Sequence, residues 1–431
     1  MARKMKDSGI EWIREIPEGW SKNKVIRLFD IIGSGTTPKN ITSDFPVVNW
    51  IQSGDITGSF MPTCKNVISA NLLSQYSALK VYPAPFIIIA MYGASVGNAS
   101  ISLIDGCVNQ ACCVLSSPSC NLHYAFYVIK SAQSYLVRKA VGGGQPNISQ
   151  ETIKQLWLPL PPLSTQDIIV RNLDATCSKI DDLLSSVHAS IEEYKKLKQA
   201  VITQAVTKGV RGEREMKDSG VDYIGQIPAE WVLGKLRNVG DTQNGISKSS
   251  EFFGKGFPFV SYSDVYKNYS LPSTVSGLVD STSEEQKRYS VKKGDIFFTR
   301  TSETIEEVGF SCVCEKDIPN ATFAGFLIRV RPFSDKLYTP YAKYYFRSSH
   351  LRFYLVKEMN LVTRASLGQS LLKSMPVLLP PLEEQKEIAD YLDTKCAEID
   401  KLIAKKEQLV KELDSYKKSL IYEVVTGKRE V

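Results

Sequence analysis

The sequence is poor in histidine and lacks the sequence motifs of the common catalytic sites. It has 3 histidines in 431 residues, His123, His188 and His350, scattered too widely to read as a ligand set. No GxxxxGK[ST] phosphate loop occurs, which excludes the common route to ATP hydrolysis. No Asn/Asp-Pro-Pro-aromatic run occurs either, the arrangement that accepts the amine hydrogens of adenine during N6 methyl transfer. Pro161-Pro162-Leu163 and Pro380-Pro381-Leu382 lack both the polar residue and the ring. The 9 cysteines are odd in number and irregularly spaced. Neither Cys107, Cys112 and Cys113 nor Cys312 and Cys314 make a zinc pattern, so they read as reduced structural thiols of a cytoplasmic protein. No stretch approaches the ~20 apolar residues of a membrane span. The most apolar run, Phe86 to Met91, reads as a buried strand, and the basic start at Arg3-Lys4 leads into polar residues rather than a signal peptide.

What is present suits a globular protein of two to three domains: 43% apolar residues and 23% charged. The formal net charge of +7 leans toward an anionic partner.

The chain is written twice. Met5-Lys6-Asp7-Ser8-Gly9-Ile10 recurs as Met216-Lys217-Asp218-Ser219-Gly220-Val221, and Ile16-Pro17-Glu18-Gly19-Trp20 as Ile227-Pro228-Ala229-Glu230-Trp231, at an offset of 211. Leu160-Pro161-Pro162-Leu163 with Gln166 recurs as Leu379-Pro380-Pro381-Leu382 with Gln385, at an offset of 219. That second register continues through Leu173/Leu392, Cys177/Cys396, Ile180/Ile399 and Val206/Val425. The middles share only a thin skeleton, Trp50-Ile51 with Asp55 against Phe259-Val260 with Asp264. A neutral duplication would drift everywhere. Here the frames persist and the middles diverge, which points to one fold carrying two different surfaces.

The frames read as long helices. Gln166 to Thr207 contains no proline or glycine. Leu173, Cys177, Ile180, Leu184, Val187, Ile191, Tyr194, Val201 and Ala205 follow the alternating four-three spacing of a coiled-coil seam, with Lys198 in one seam position. The second copy runs Leu392, Cys396, Ile399, Ile403, Lys406, Val410, Leu413, Lys417, Leu420 and Val424. Each starts after a Pro-Pro-Leu segment and stops at Gly209 or Gly427. Such seams should pack on each other. The helical stretches carry −2 together, which leaves +9 on the rest of the chain, the part expected to face phosphate. If the helices set the distance between domains, their ends near Val206-Thr207 and Val425-Thr426 are the places where an insertion should displace a domain and leave the seam intact.

The middles mix short strands, Val47 to Ile51, Phe86 to Met91, Ile296 to Thr299 and Phe326 to Val330, with turn signals. Each is expected to end in a helix bearing aromatic and basic residues, Tyr124 to Lys139 and Tyr341 to Lys357. That interleaving suits a helix lying along a nucleic-acid backbone. A core helix with inward aromatics and solvated cations is the competing reading.

These landmarks resemble the signature series of type I restriction-modification specificity subunits. In the first half they are Gly33-Ser34-Gly35-Thr36-Thr37-Pro38, Trp50 to Asp55, Ala90 to Gly97, Asn109-Gln110-Ala111-Cys112, Gln145-Pro146-Asn147-Ile148-Ser149 and Pro161-Pro162-Leu163 with Gln166. In the second they are Gly294 to Arg300 and Pro380 to Gln385. The resemblance implies an α+β architecture: two mixed α/β target-recognition domains (1–160 and 211–378) separated by two long helices (161–210 and 379–431) that pair as an antiparallel coiled coil with pseudo-twofold symmetry. It implies a non-catalytic, cytoplasmic subunit reading a bipartite, asymmetric site in double-stranded DNA. Two methyltransferase subunits would dock on it and carry S-adenosylmethionine. Restriction subunits would join them with ATP and magnesium, and this chain would bind no cofactor itself.

Base readout needs donors and acceptors at a groove edge. The candidates are Tyr92, Ser95, Asn109, Gln110, Gln145 and Asn147 in the first domain. In the second they are Arg300, Thr301, Glu303, Arg364, Ser366 and Gln369. For phosphate the candidates are Lys139, Lys343, Arg347 and Arg352. Turn chemistry is the competing reading of Asn147. Arg300-Thr301-Ser302 stands where the first domain has Met91-Tyr92-Gly93, so the two half-sites should differ. The competing functions are a modification enzyme with divergent motifs, a duplicated protein-interaction scaffold, and the specificity subunit of a methylation system without restriction.

Overall fold

A computed structural model describes residues 3–142, 146–302, 308–358 and 365–431. The chain forms two compact units, Met1–Val187 with Gln408–Val431, and His188–Glu407. These units cut across the 1–160, 161–210, 211–378 and 379–431 division, because each long helix gives one end to each unit.

The long helices run Leu163–Lys208 and Leu382–Val425. Proline cannot donate a backbone N–H, so Pro161-Pro162 and Pro380-Pro381 end the preceding strands and open the helices. The repeated glutamine locks that corner: Gln166 Nε2 donates to the Pro161 carbonyl and Gln385 Nε2 to the Pro380 carbonyl, both at 2.9 Å. Gly209 and Gly427 stop the helices at φ of 78° and 73°, a left-handed conformation that glycine adopts without a Cβ penalty. The seam residues are buried or half-buried along both helices. In the second unit the pairing is antiparallel. Lys406 lies 5.6 Å from the Tyr194 ring, Lys198 Nζ is 2.6 Å from Asp400, and Arg211, just past the helix, is 2.7 Å from Glu387. In the first unit Lys417 and Asp181 meet at 2.5 Å. These two lysines and two aspartates are the same pair, 219 positions apart. Lysine in the seam is therefore a built contact and not a lapse in the pattern.

In the first unit a five-stranded sheet runs Ile31–Gly33, Cys112–Ser116, Phe86–Ala90, Ala99–Ser102, Phe60–Met61. A three-stranded sheet places Val47–Ile51 between Cys107–Val108 and Val67–Ser69. The strand Phe86–Ala90 is buried on both faces, which explains its unbroken apolar run. One face packs with Ile51, Tyr82 and Val108; the other with Tyr124, Phe126 and the ends of both long helices, Leu173 and Leu420 among them.

The second unit repeats the plan with differences. A four-stranded sheet runs Gly240–Asn244, Leu327–Pro332, Ile296–Thr299, Ser311–Val313, beside the three-stranded sheet Gly277–Val279, Phe253–Val260, Thr322–Phe323. An added two-stranded pair joins Thr301–Ser302 to Ala365–Ser366. The aspartates shared by both middles are capping groups. Asp55 accepts from the Gln52 backbone N–H at 2.9 Å and Asp264 from that of Ser261 at 2.8 Å.

Each unit is closed by the helix end of the other repeat. Tyr124 donates from its hydroxyl to the Pro159 and Val425 carbonyls at 3.0 and 3.1 Å. Its counterpart Tyr341 donates to Leu378 and Val206 at 3.2 and 3.5 Å. Val206 and Thr207 are buried, so an insertion there would drive apolar residues out of the second unit's core. The helix ends are thus anchored inside the units, contrary to the expectation that an insertion could be absorbed there.

Candidate nucleic-acid interface

In the first unit three strand ends meet at one edge of the main sheet. Cys112 pairs with Ala90 and Val114 with Gly33, so the loops after Gly33, after Ala90 and before Cys112 form one rim. They are tied to one another. Ser34 Oγ donates to the Cys112 carbonyl at 2.7 Å, Thr37 Oγ1 to Gln110 Oε1 at 2.6 Å, and the Met91 N–H to the Ala111 carbonyl at 2.7 Å. A fourth segment joins them: the Gly93 N–H donates to Pro146 at 3.0 Å and the Ile148 N–H to Met91 at 2.9 Å. Tyr92, Ser95, Asn109, Gln110 and Asn147, distant in sequence, therefore share one rim. Tyr92, Gln110 and Asn147 are exposed; Ser95 and Asn109 are half-buried. Asn109 serves its own turn, accepting from the Ala111 N–H at 3.1 Å. Asn147 exchanges backbone hydrogen bonds with Val141, and its side chain is left to solvent. Gln145 lies outside the described residues.

The second unit builds the equivalent rim. Asn244 pairs with Ile328 and Leu327 with Thr299. The Arg300 N–H donates to the Phe326 carbonyl at 2.9 Å, and the Leu367 N–H donates to the Arg300 carbonyl at 2.7 Å. These match the Met91–Ala111 and Ile148–Met91 bonds of the first unit, so Arg300 occupies the place of Met91. Thr301 is paired with Ser366 as Tyr92 is with Asn147. Gln369 is held by the first strand, accepting from Thr242 Oγ1 at 2.8 Å and donating to Asn244 Oδ1 at 2.9 Å. Arg300, Thr301, Ser366 and Gln369 are thus brought together; Glu303 and Arg364 lie outside the described residues. Gly35 and Gly245 serve the same purpose in the two rims. A Cβ at either would overlap a backbone carbonyl of the neighbouring strand, of Val108 or of Phe323 and Ala324.

The cations assigned to phosphate do not share the rims' organisation. Arg347 turns inward. Its guanidinium donates to the carbonyls of Ser311, Val265, Tyr266 and Asn268 at 2.6 to 3.1 Å, between the rings of Tyr269 and Phe310. Burial lowers its pKa. It caps the helix Tyr262–Lys267 and orders the loop after it. Arg352 donates to the Val308 carbonyl beside Phe310. Lys343 is largely buried and pairs with Asp393 at 2.7 Å. Lys139 is exposed but sits 3.0 Å from Glu11, whose carboxyl its hydrogen bond holds below the ordinary range. The single helices expected here are each broken in two, Leu122–Ser131 and Gln133–Arg138, then Thr339–Tyr345 and Ser349–Glu358. Tyr124, Phe126, Tyr127, Tyr341, Tyr344, Tyr345 and Phe346 are buried. Aromatic residues at helical spacing here make core, and their cations tie down the loops beside it.

Two exposed apolar side chains on the rims went unseen in the sequence. Val141 is 75% exposed beside Asn147, and Phe326 is 64% exposed beside Arg300. Phe326 reads as the first residue of a buried strand, but that strand begins at Leu327. Only its position after Gly325, a turn residue, hints otherwise.

A duplicated α/β unit with an equivalent loop rim on each copy, closed by paired long helices, defines a class of recognition proteins. The chain belongs to the type I restriction modification DNA specificity domain family, whose model matches residues 17–193 and 228–412. It is 28% identical over 313 residues to the type I restriction enzyme MjaVIII specificity subunit of Methanocaldococcus jannaschii, covering 72% of this chain and 70% of that one. To the EcoKI specificity subunit of Escherichia coli strain K12 it is 26% identical over 391 residues, covering 87% and 81%. A chain solved in work on the complex assembly and conformational transition of the type I R-M system shares its fold at a TM-score of 0.72 and 18% identity, over 95% of this chain and 98% of that one. The HsdS subunit of Thermoanaerobacter tengcongensis superposes at a TM-score of 0.50 and 18% identity, over 96% and 98%.

Proposed function

We propose that this specificity subunit reads a bipartite, asymmetric site in double-stranded DNA, one half-site on each rim, and performs no chemistry itself. One observation carries the reading: the rims are built by equivalent backbone bonds yet present different side chains. Exposed Tyr92 and Asn147 on the first stand against Thr301 and Ser366 on the second, and where the first has buried Met91 and Ala111 the second has Arg300 and exposed Phe326. A shared scaffold with divergent donors and acceptors is what independent readout of two sequences requires. Two methyltransferase subunits dock on the long helices and bring S-adenosylmethionine. Restriction subunits join them with ATP and magnesium, in the cytoplasm. Exposed apolar residues outside the seam recur at equivalent positions, Leu183 with Leu402 and Leu197 with Tyr416, as a surface engaging the same partner twice would need. Among the described residues no helix is long and apolar enough to cross a membrane.

The test is methyl transfer. The purified chain with labelled S-adenosylmethionine and DNA should transfer nothing. With modification subunits added, methylated adenines should map to one bipartite sequence. Arg300→Ala should relax discrimination in one half-site, by ~1–3 kcal/mol if it pairs with guanine, and Tyr92→Ala in the other. Turnover by the chain alone, or methylation without sequence preference, would refute the reading.

A further inference from the structure

Phe326 is the anomaly of the second rim. A phenylalanine ring 64% exposed contributes little to folding. Its counterpart by backbone bonding, Ala111, is small and only 9% exposed. The ring is carried on a fixed backbone. The Phe326 carbonyl accepts from Arg300 at 2.9 Å, the Gly325 N–H donates to Ile246 at 2.8 Å, and the Leu327 N–H donates to Ala324 at 2.9 Å. A Cβ at Gly325 would meet the Ser247 hydroxyl, so the turn packs closely on the neighbouring loop. An apolar group held in the open on a rigid support, among polar neighbours, is preorganised for contact.

We infer that Phe326 is a specificity-determining residue, which recognises a thymine in the half-site read by the second domain by packing on its 5-methyl group. The inference rests on the reading of the rims as the DNA-contacting surfaces. Its chemistry follows from what a duplex offers: the thymine 5-methyl is the apolar group that projects from the base edges into the major groove. Arg300 beside it supplies a cation for guanine or phosphate, and Phe326 supplies the apolar partner that Arg300 cannot.

The experiment uses the full chain assembled with its modification subunits and duplexes carrying the mapped methylation site. Each thymine of both half-sites is replaced in turn by uracil, which removes only the methyl. Binding is compared for wild type, Phe326→Ala and Phe326→Leu. One uracil in the second domain's half-site should weaken wild-type binding on the order of fourfold, the ratio expected for one desolvated methyl. That uracil should cost Phe326→Ala nothing, and Phe326→Leu should keep part of the effect. An unchanged melting temperature for Phe326→Ala shows that any loss is one of contact. Wild-type affinity in Phe326→Ala overturns the inference, as does equal sensitivity of wild type and variant at every thymine. Weaker binding by Phe326→Ala with no thymine singled out overturns it in favour of a ring inserted between bases. If the complex methylates no defined site, or if Arg300→Ala and Tyr92→Ala leave discrimination untouched, the reading of the rims fails instead.

Discussion

His350 is buried, with neither ring nitrogen hydrogen-bonded among the described residues, and edge-on to Tyr345 at 5.5 Å. Burial pushes its pKa from 6.5 to about 4. The unfolded chain therefore binds a proton that the folded chain refuses between those values. The stability that His350 allows is complete above pH 6.5 and is lost as pH falls toward 4, by about 3 kcal/mol in total. In thermal melts, wild type should lose stability relative to His350→Phe as pH falls from 6.5 toward 4, with a constant difference above that window; a difference independent of pH throughout would mean that the site is solvated. A second residue-scale difference comes from comparing the repeats. In the second unit Glu384 is fully buried, accepting from Trp231 Nε1 at 2.9 Å and pairing with Arg214 at 2.6 Å. In the first, Trp20 replaces Trp231, Arg3 lies over its ring at 5.3 Å, and Thr165 stands where Glu384 would be. Trp20 Nε1 has no acceptor among the described residues. Thr165→Glu should supply one and raise stability by about 1 kcal/mol, whereas Glu384→Thr should cost about 2–3 kcal/mol by leaving the buried Trp231 N–H without its acceptor and Arg214 with Glu230 as its remaining carboxylate. Denaturant melts of the two variants should move in opposite directions.

Among the elements, the long helices were the most legible in sequence. Their period, their proline starts and their glycine stops are local properties, and the observed limits differ from the expected ones by a few residues. What their seam lysines do was not legible, because a partner more than 200 positions away decides it. Lys198 and Lys417 reach Asp400 and Asp181 across the antiparallel seam, contacts that a different register would break. Asp400→Lys should destabilise by about 1 kcal/mol, and the exchange Lys198→Asp with Asp400→Lys should recover most of the loss. A double-mutant cycle with no coupling would show the contact to be incidental. The short helices were misread for a related reason. Cations spaced among aromatics look alike whether the rings face nucleic acid or core. Only the tertiary position of Arg347, under four carbonyls, separates the two.

Across the whole chain, each unit is completed from the far repeat. Leu420, Ile421, Val424 and Val425 are buried in the first unit's core, and the Tyr422 ring lies 6.3 Å from Trp12. Removing residues 408–431 should expose that core and unfold the first unit, while much of the second persists because it holds only residues 188–407. Calorimetry of the truncated chain should show the loss of one transition, and limited proteolysis should leave a fragment from the second unit; retention of both transitions would refute the closure. The sequence alone determined the duplication, the long helices, the sites of four central strands and the absence of the common catalytic motifs, because these are carried by residues near one another or by identity at a fixed offset. Tertiary structure decided which repeat closes which unit, which cations became core ties and which side chains came to stand on the rims. Tyr92 and Asn147, or Arg300 and Ser366, become neighbours only when strand ends and a distant segment are hydrogen-bonded into one edge, and no local pattern records that meeting.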